Sequence, residues 1–123
     1  MTDLDILLQK IDGLRAELDK LKPLKNEDEE RLEKKFRLEW NYNSNHIEGN
    51  TLTYGQTELL LIFGKTMGDH DIREYEEMSA HDVAVKMIEG YANDISRELT
   101  EGDIRELNKT ILVRPLLWQC ANT

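Results

Sequence analysis

Between Asp71 and Ile95 the apolar residues return at the spacing of one helix face: Tyr75, Met78, Ala84, Val85, Ile88, Tyr91 and Ile95. This is the longest periodic segment of the chain, and it predicts a long helix that serves as the spine of the fold. Asp71 stands before it as a cap, with Glu74 three residues on, where side chain and backbone can satisfy each other reciprocally. The same start signal recurs at Thr2 with Asp5, Asn26 with Glu29 and Thr53 with Gln56, and Thr100 caps a further segment. No segment alternates apolar and polar residues as a half-buried strand would. The expected fold is all-α, with about five to six helices.

Composition narrows the rest. A chain of 123 residues allows one domain with a modest core. Aromatic residues at 7%, with few glycines and prolines, favour helices over a sandwich or barrel. Charged residues at 33% suit long solvated helical faces, and a net charge of -9 repels phosphates, so nucleic acid is not an expected partner. No apolar run approaches the roughly 18 residues that span a bilayer, so no membrane is expected either. The acidic start, Met1 to Asp5, lacks the basic region of a signal peptide. One cysteine, Cys120, excludes an internal disulfide framework and fits a reducing compartment, so the expected location is cytoplasmic.

Three parts follow in order. Residues 1–24 form an amphipathic helix with a heptad seam of Leu4, Leu7, Ile11, Leu14, Leu18 and Leu21, ended by Pro23. Gly13 weakens it by about 1 kcal/mol relative to alanine. The seam predicts either a self-associating coiled coil or a helix folded back on its own domain. Residues 25–52 carry a second helix with ion-pair spacing at Glu27 to Arg31, Glu30 to Lys34 and Glu33 to Arg37, which predicts a solvated face. Leu32, Phe36 and Trp40 are its expected buried stripe, flanked by Leu38 and Tyr42. A break near Tyr42 to Ser44 would set its end apart as a short helix. Residues 53–123 contain the remaining helices. Leu59, Leu60, Ile62 and Phe63 are core candidates before a stop at Gly64. Ile104, Leu107, Ile111 and Leu112 are core candidates in the last helix, which Pro115 should limit. The apolar end from Arg114 to Thr123 has no periodic partner.

The chemistry concentrates in Ser44-Asn45-His46-Ile47-Glu48-Gly49-Asn50. Ser44 and Glu48 lie one helical turn apart, so the hydroxyl can steady the carboxylate. Gly49 and Asn50 tolerate left-handed geometry and can stop the helix there. The result is a carboxylate fixed at a helix end, suited to gripping a cation. This stretch resembles the inhibitory helix of Fic-domain proteins of the Fic/Doc family, with its pattern [ST]-x-x-x-E-[GN]. Other pieces follow in the family's order. Thr53 is followed by Glu58. The stretch from Ile72 to His81 is similar to the family's R-E-Y-x-E helix, and Leu99 to Asn108 is similar to its L-T-x-x-D-I-x-x-L-N opening. The resemblance spans about residues 25–114.

It implies a protein that transfers AMP from ATP to protein hydroxyls, with Ser44, Glu48 and Gly49 as inhibitory residues. In that family the glutamate pairs with an arginine of the nucleotide site and blocks productive ATP binding. The departure is equally informative. The family's catalytic run, H-x-F-x-[DE]-G-N-G-R-x-x-R, is absent here, and so is its target-docking hairpin. The run's histidine is the general base, its acid binds the metal, and its glycine turn and arginines hold phosphates. No catalytic, cofactor-binding or metal residue is therefore expected in this chain, whereas ATP and magnesium are expected for a complete family member. The sequence departs from the family after Arg114-Pro115, as a frameshift or premature stop would produce. The expected role is an N-terminal regulatory portion. The alternatives are an antitoxin-like module acting in trans on a Fic core, a coiled-coil adaptor, or a remnant of a disrupted gene. Self-association through the seam or through exposed core is a further expectation. His46 and His70 lack a helical metal-site spacing, His81 reads as a packed histidine, and Cys120 has no cationic neighbour to activate it.

Overall fold

A computed structural model of the protein describes residues 1–121, with side chains described as far as Leu112. It contains five helices and, among the described residues, no strand: α1 (Asp3–Lys20), α2 (Asn26–Ile47), α3 (Tyr54–Phe63), α4 (Ile72–Asn93) and α5 (Glu101–Ala121). The fold is all-α, as the periodicity predicts. The chain divides into two compact units, Met1–Glu33 and Lys34–Thr123. The apolar end of the chain beyond Arg114, Cys120 included, lies outside the described side chains.

Three helix starts follow the local signals, whereas Asn26, expected as a cap, is already the first residue of α2. Thr2 caps α1 and Thr53 caps α3, each closing a capping box, with Asp5 and Gln56 respectively. Thr100 and Asp103 form the same reciprocal pair at α5: the Thr100 amide donates to Asp103 at 2.9 Å and the Asp103 amide donates to the Thr100 hydroxyl at 3.2 Å. Arg97 pairs with the same carboxylate, which is buried. Asp71 does precede α4, but its side chain makes no capping bond. Glu74, expected to complete that box, is committed elsewhere, to Thr51 and His70. α5 also runs on through Pro115 to Ala121. A proline removes one backbone bond from a helix without necessarily ending it.

In the first unit the seam of α1 is in place along one face, and none of its residues is buried. In the second unit α4 is the central element and packs against both α3 and α5. Its apolar core is small: Leu38, Leu52, Met78, Ala84 and Val85. Among the described residues, six polar ones are buried with them: Asn41, Asn45, Asn50, Thr57, Asp82 and Asp103. Several core candidates therefore change places. Leu32, Phe36 and Trp40 are exposed, while Leu38, Asn41 and Asn45 are the buried row of α2. In α3 the buried residue is Thr57, with Leu59, Leu60 and Ile62 half-buried and Phe63 exposed. Ile88, Ile95, Ile104, Ile111 and Leu112 are also exposed.

The reason lies in how the buried face of α2 is satisfied. Asp82 on α4 would be very costly to bury alone. Arg37 reaches it with two bonds of 2.8 Å and also donates to the Leu61 carbonyl at 3.1 Å. The Asn41 amide donates to the same carboxylate at 2.9 Å and to the Arg37 carbonyl at 2.9 Å, and its oxygen faces His81 Nδ1 at 2.7 Å. Lys86 adds a second cation at 3.3 Å from Asp82. Lys34 and Arg37, expected in surface pairs one turn back along α2, therefore reach Glu58 and Asp82 on other helices. Removing one partner of a buried ion pair costs about 3–5 kcal/mol because it strands the other charge, so α2 and α4 must keep these groups together.

Candidate functional site

The end of α2 carries the candidate site. The helix runs unbroken through Tyr42, Asn43 and Ser44 to Ile47, so Ser44 belongs to the long helix and not to a separate short one. Gly49 then takes a left-handed φ of 97°. Its amide bonds to the His46 carbonyl at 3.0 Å, and the Asn50 amide bonds to the Asn45 carbonyl at 2.9 Å. These two bonds close the helix over a residue that only glycine occupies readily. Glu48 sits between them, one position past the last helical residue, and is exposed.

The turn is held on both sides. Tyr42 stacks on His46 at 5.5 Å and meets Tyr54 of α3 edge-on at 5.7 Å. Asn50 is buried, donates to the Glu74 carbonyl at 2.9 Å and accepts from the Leu52 amide at 3.0 Å. Thr51 gives its amide and its hydroxyl to Glu74, each at 2.8 Å. His70 completes the clasp: Nδ1 lies 3.0 Å from the Thr51 hydroxyl and 3.2 Å from Glu74, and Nε2 lies 2.8 Å from Gln56. His70 and Glu74 thus stand four residues apart and touch, so His70 does have an acidic partner at helical spacing. Glu48 itself makes no ion pair among the described residues. The arrangement is a hydrogen-bonded turn with an exposed carboxylate beside it.

Ser44 is half-buried, and no hydrogen bond joins it to Glu48 among the described residues. It lines an open groove of about 600 Å³ with Phe36, Glu39, Trp40, Asn43 and Glu89. Phe36, Trp40, Ser44 and Ile47 follow one row along α2, with Glu48 at its end. Among the described residues no cluster of three or more histidine, cysteine or acidic side chains could hold a metal ion. No helix among them is long and apolar enough to cross a membrane.

Neither a protein-family model nor a curated protein matches the chain. A solved structure does: a Fic domain-containing signaling protein from Bacteroides thetaiotaomicron VPI-5482, with 58% sequence identity and a TM-score of 0.78. The likeness is that of a fragment of a Fic-family protein. The match covers 84% of this chain and 38% of that one, so the sequence spans well under half of its Fic neighbour.

The Fic-like stretches now have physical roles. In L-T-x-x-D, Thr100 and Asp103 are the capping box of α5. In R-E-Y, Glu74 fastens the Thr51 loop, and the Tyr75 hydroxyl donates to the carbonyls of Met67 and Gly68, at 3.2 and 3.0 Å. His81, read as a packed histidine, meets Asn41. Arg37, Asn41, Asn45 and Asp82 were not singled out as site-supporting residues. Their signal was available as polar side chains recurring at helical spacing along α2.

Proposed function

We propose that this chain is the regulatory portion of a Fic protein whose complete form transfers AMP from ATP to protein hydroxyls, and that Glu48 is its inhibitory carboxylate. The observation that carries this reading is the exposed, unpaired Glu48 on a left-handed turn at the end of α2. The family resemblance supplies the cation it would meet, an arginine of the nucleotide site. The row that leads to Glu48 supports the same reading. Phe36, Trp40 and Ile47 are large, apolar and exposed, as a face that awaits a covering surface should be. Ser44 would line that contact from within the groove, and Gly49 would fix the turn.

ATP and magnesium belong to the complete protein. This chain has neither the acidic metal ligand nor the phosphate-holding arginines of the Fic catalytic run, so its own residues do not fit either group. The carboxylate can act on a core in the same polypeptide or, antitoxin-like, on one supplied in trans.

The test uses the second arrangement. A separate Fic core carrying H-x-F-x-[DE]-G-N-G-R is incubated with labelled ATP and magnesium, with and without this chain. The parent chain should suppress automodification. Glu48→Gly should relieve suppression by about tenfold or more, since a charge-assisted interfacial pair is lost. Ser44→Ala should relieve it less. Equal suppression by Glu48→Gly and the parent would remove the inhibitory role.

A further inference from the structure

We infer that α1 is a dimerisation helix that pairs with α1 of a second copy of this chain in antiparallel orientation. Leu4, Leu7, Ile11, Leu14, Leu18 and Leu21 alternate at spacings of three and four, and each is between 55% and 70% exposed. That alternation is the seam of a two-stranded coiled coil, in which apolar knobs from one helix enter holes on the other. Ile6 and Leu8 widen the apolar face over the first turns; from Ile11 to Leu21 it is the narrow seam alone, where a helix that lies on a domain needs a wider stripe.

The charges beside the seam choose the partner and its direction. With Leu4, Ile11 and Leu18 at the first core position of each heptad, Lys10 and Glu17 lie along one edge, and Leu8, Arg15 and Lys22 along the other. In an antiparallel pair Leu4 faces the second copy's Leu21, and Ile11 faces its Leu14. Lys10 then lies beside Glu17 of the other copy, twice by symmetry. Leu8 lies beside Arg15, whose alkyl stem can cover it. Neither Lys10 nor Glu17 is engaged in an ion pair among the described residues, so both are free for this contact. The acidic first turn with Asp3 and Asp5 reaches the end of the partner helix that carries Lys20, and the helix dipoles run in opposition. A parallel pair would instead set Lys10 against Arg15 of the other copy, twice, and its Glu17 beside Lys22, which lies past the end of α1 and already pairs with Asp19. The seam therefore complements itself best in the antiparallel direction. This inference is independent of the role given to Glu48.

Sedimentation equilibrium of the full chain over a range of concentrations tests it, with far-UV circular dichroism to check that each variant keeps its helices. The parent should pass from monomer to dimer as concentration rises. Ile11→Asp with Leu14→Asp should abolish the dimer. Lys10→Glu should weaken it about tenfold, because two attractions become two repulsions. Lys10→Glu combined with Glu17→Lys should restore it. A parent that stays monomeric throughout would overturn the inference, as would association that survives the two aspartates. Stronger association of Lys10→Glu would overturn the antiparallel direction, because a parallel pair gains an attraction to Arg15 from that change.

Discussion

Asn41 has no exposed surface, yet its side chain joins three neighbours: the Arg37 carbonyl, the Asp82 carboxylate and the His81 ring. The charges of this cluster respond to their surroundings in a testable way. Burial lowers the basicity of His81 below its ordinary value, with Asp82 partly opposing that. Burial alone would raise the Asp82 carboxyl, but the hydrogen bonds and charge of Arg37, with Lys86, outweigh it and hold the group below the usual range. Both shifts act in the same direction on stability. A histidine that resists protonation when folded leaves the unfolded chain to bind the extra proton, so its contribution is full above about pH 6.5 and is lost as pH falls below that. The Asp82 contribution is full above about pH 3.9 and is lost as pH falls further, through its lowered folded value. Urea unfolding at pH 7.5 and 5.5 should therefore give a lower midpoint at the acid end. His81→Gln should flatten that difference while leaving the steeper loss below pH 4 in place. An unchanged slope between pH 7.5 and 5.5 would mean that His81 is not the group responsible.

At the level of elements, what was legible in the sequence was what is decided locally. Thr2, Thr53 and Thr100 cap helices because the bonds they make span three residues, and Gly49 and Gly64 stop them for the same reason. What was not legible was which face each helix buries. Phe36 and Trp40 are more apolar than Asn41 and Asn45, and a reading by apolar periodicity must choose them. The choice fails because Asn45 gives its amide to the Asn41 carbonyl and the Met78 sulfur, and Asn41 reaches Asp82, across a sequence distance no local pattern reports. The candidate site was legible as a helix end with a carboxylate, but not the clasp of Thr51, His70 and Glu74 beside it. Gly68 connects the clasp to the elements. It has a φ of 101°, and an added Cβ would stand 2.5 Å from Gln56 Nε2 and 3.1 Å from the His70 ring. Gly68→Ala should thus strain the loop and displace Gln56 from the capping box of α3 together, costing about 2–3 kcal/mol. Gly13→Ala, in the open interior of α1 with nothing within 4 Å, should instead favour its helix by about 1 kcal/mol. Thermal melts of the two variants should move in opposite directions, and a neutral Gly68→Ala would argue that the clasp is loose.

For the molecule as a whole, the consequence of the missing catalytic run is direct. This chain alone, incubated with labelled ATP, magnesium and protein acceptors, should transfer no label above a blank. Transfer would require a base and phosphate ligands that its sequence does not contain, and would overturn the regulatory reading. The composition of the second unit's interior has a different consequence, for descent. An apolar core accepts many exchanges, because leucine, isoleucine and methionine can trade volumes. Asn41, Asn45, Asn50 and Asp82 have no such substitutes, because each is defined by where its donors and acceptors point. Sequences that have drifted far from this one should therefore lose its leucines before its asparagines. The spacing of those amides, followed by an aspartate on the later long helix, is the watermark by which a distant cousin of this fold would be recognised.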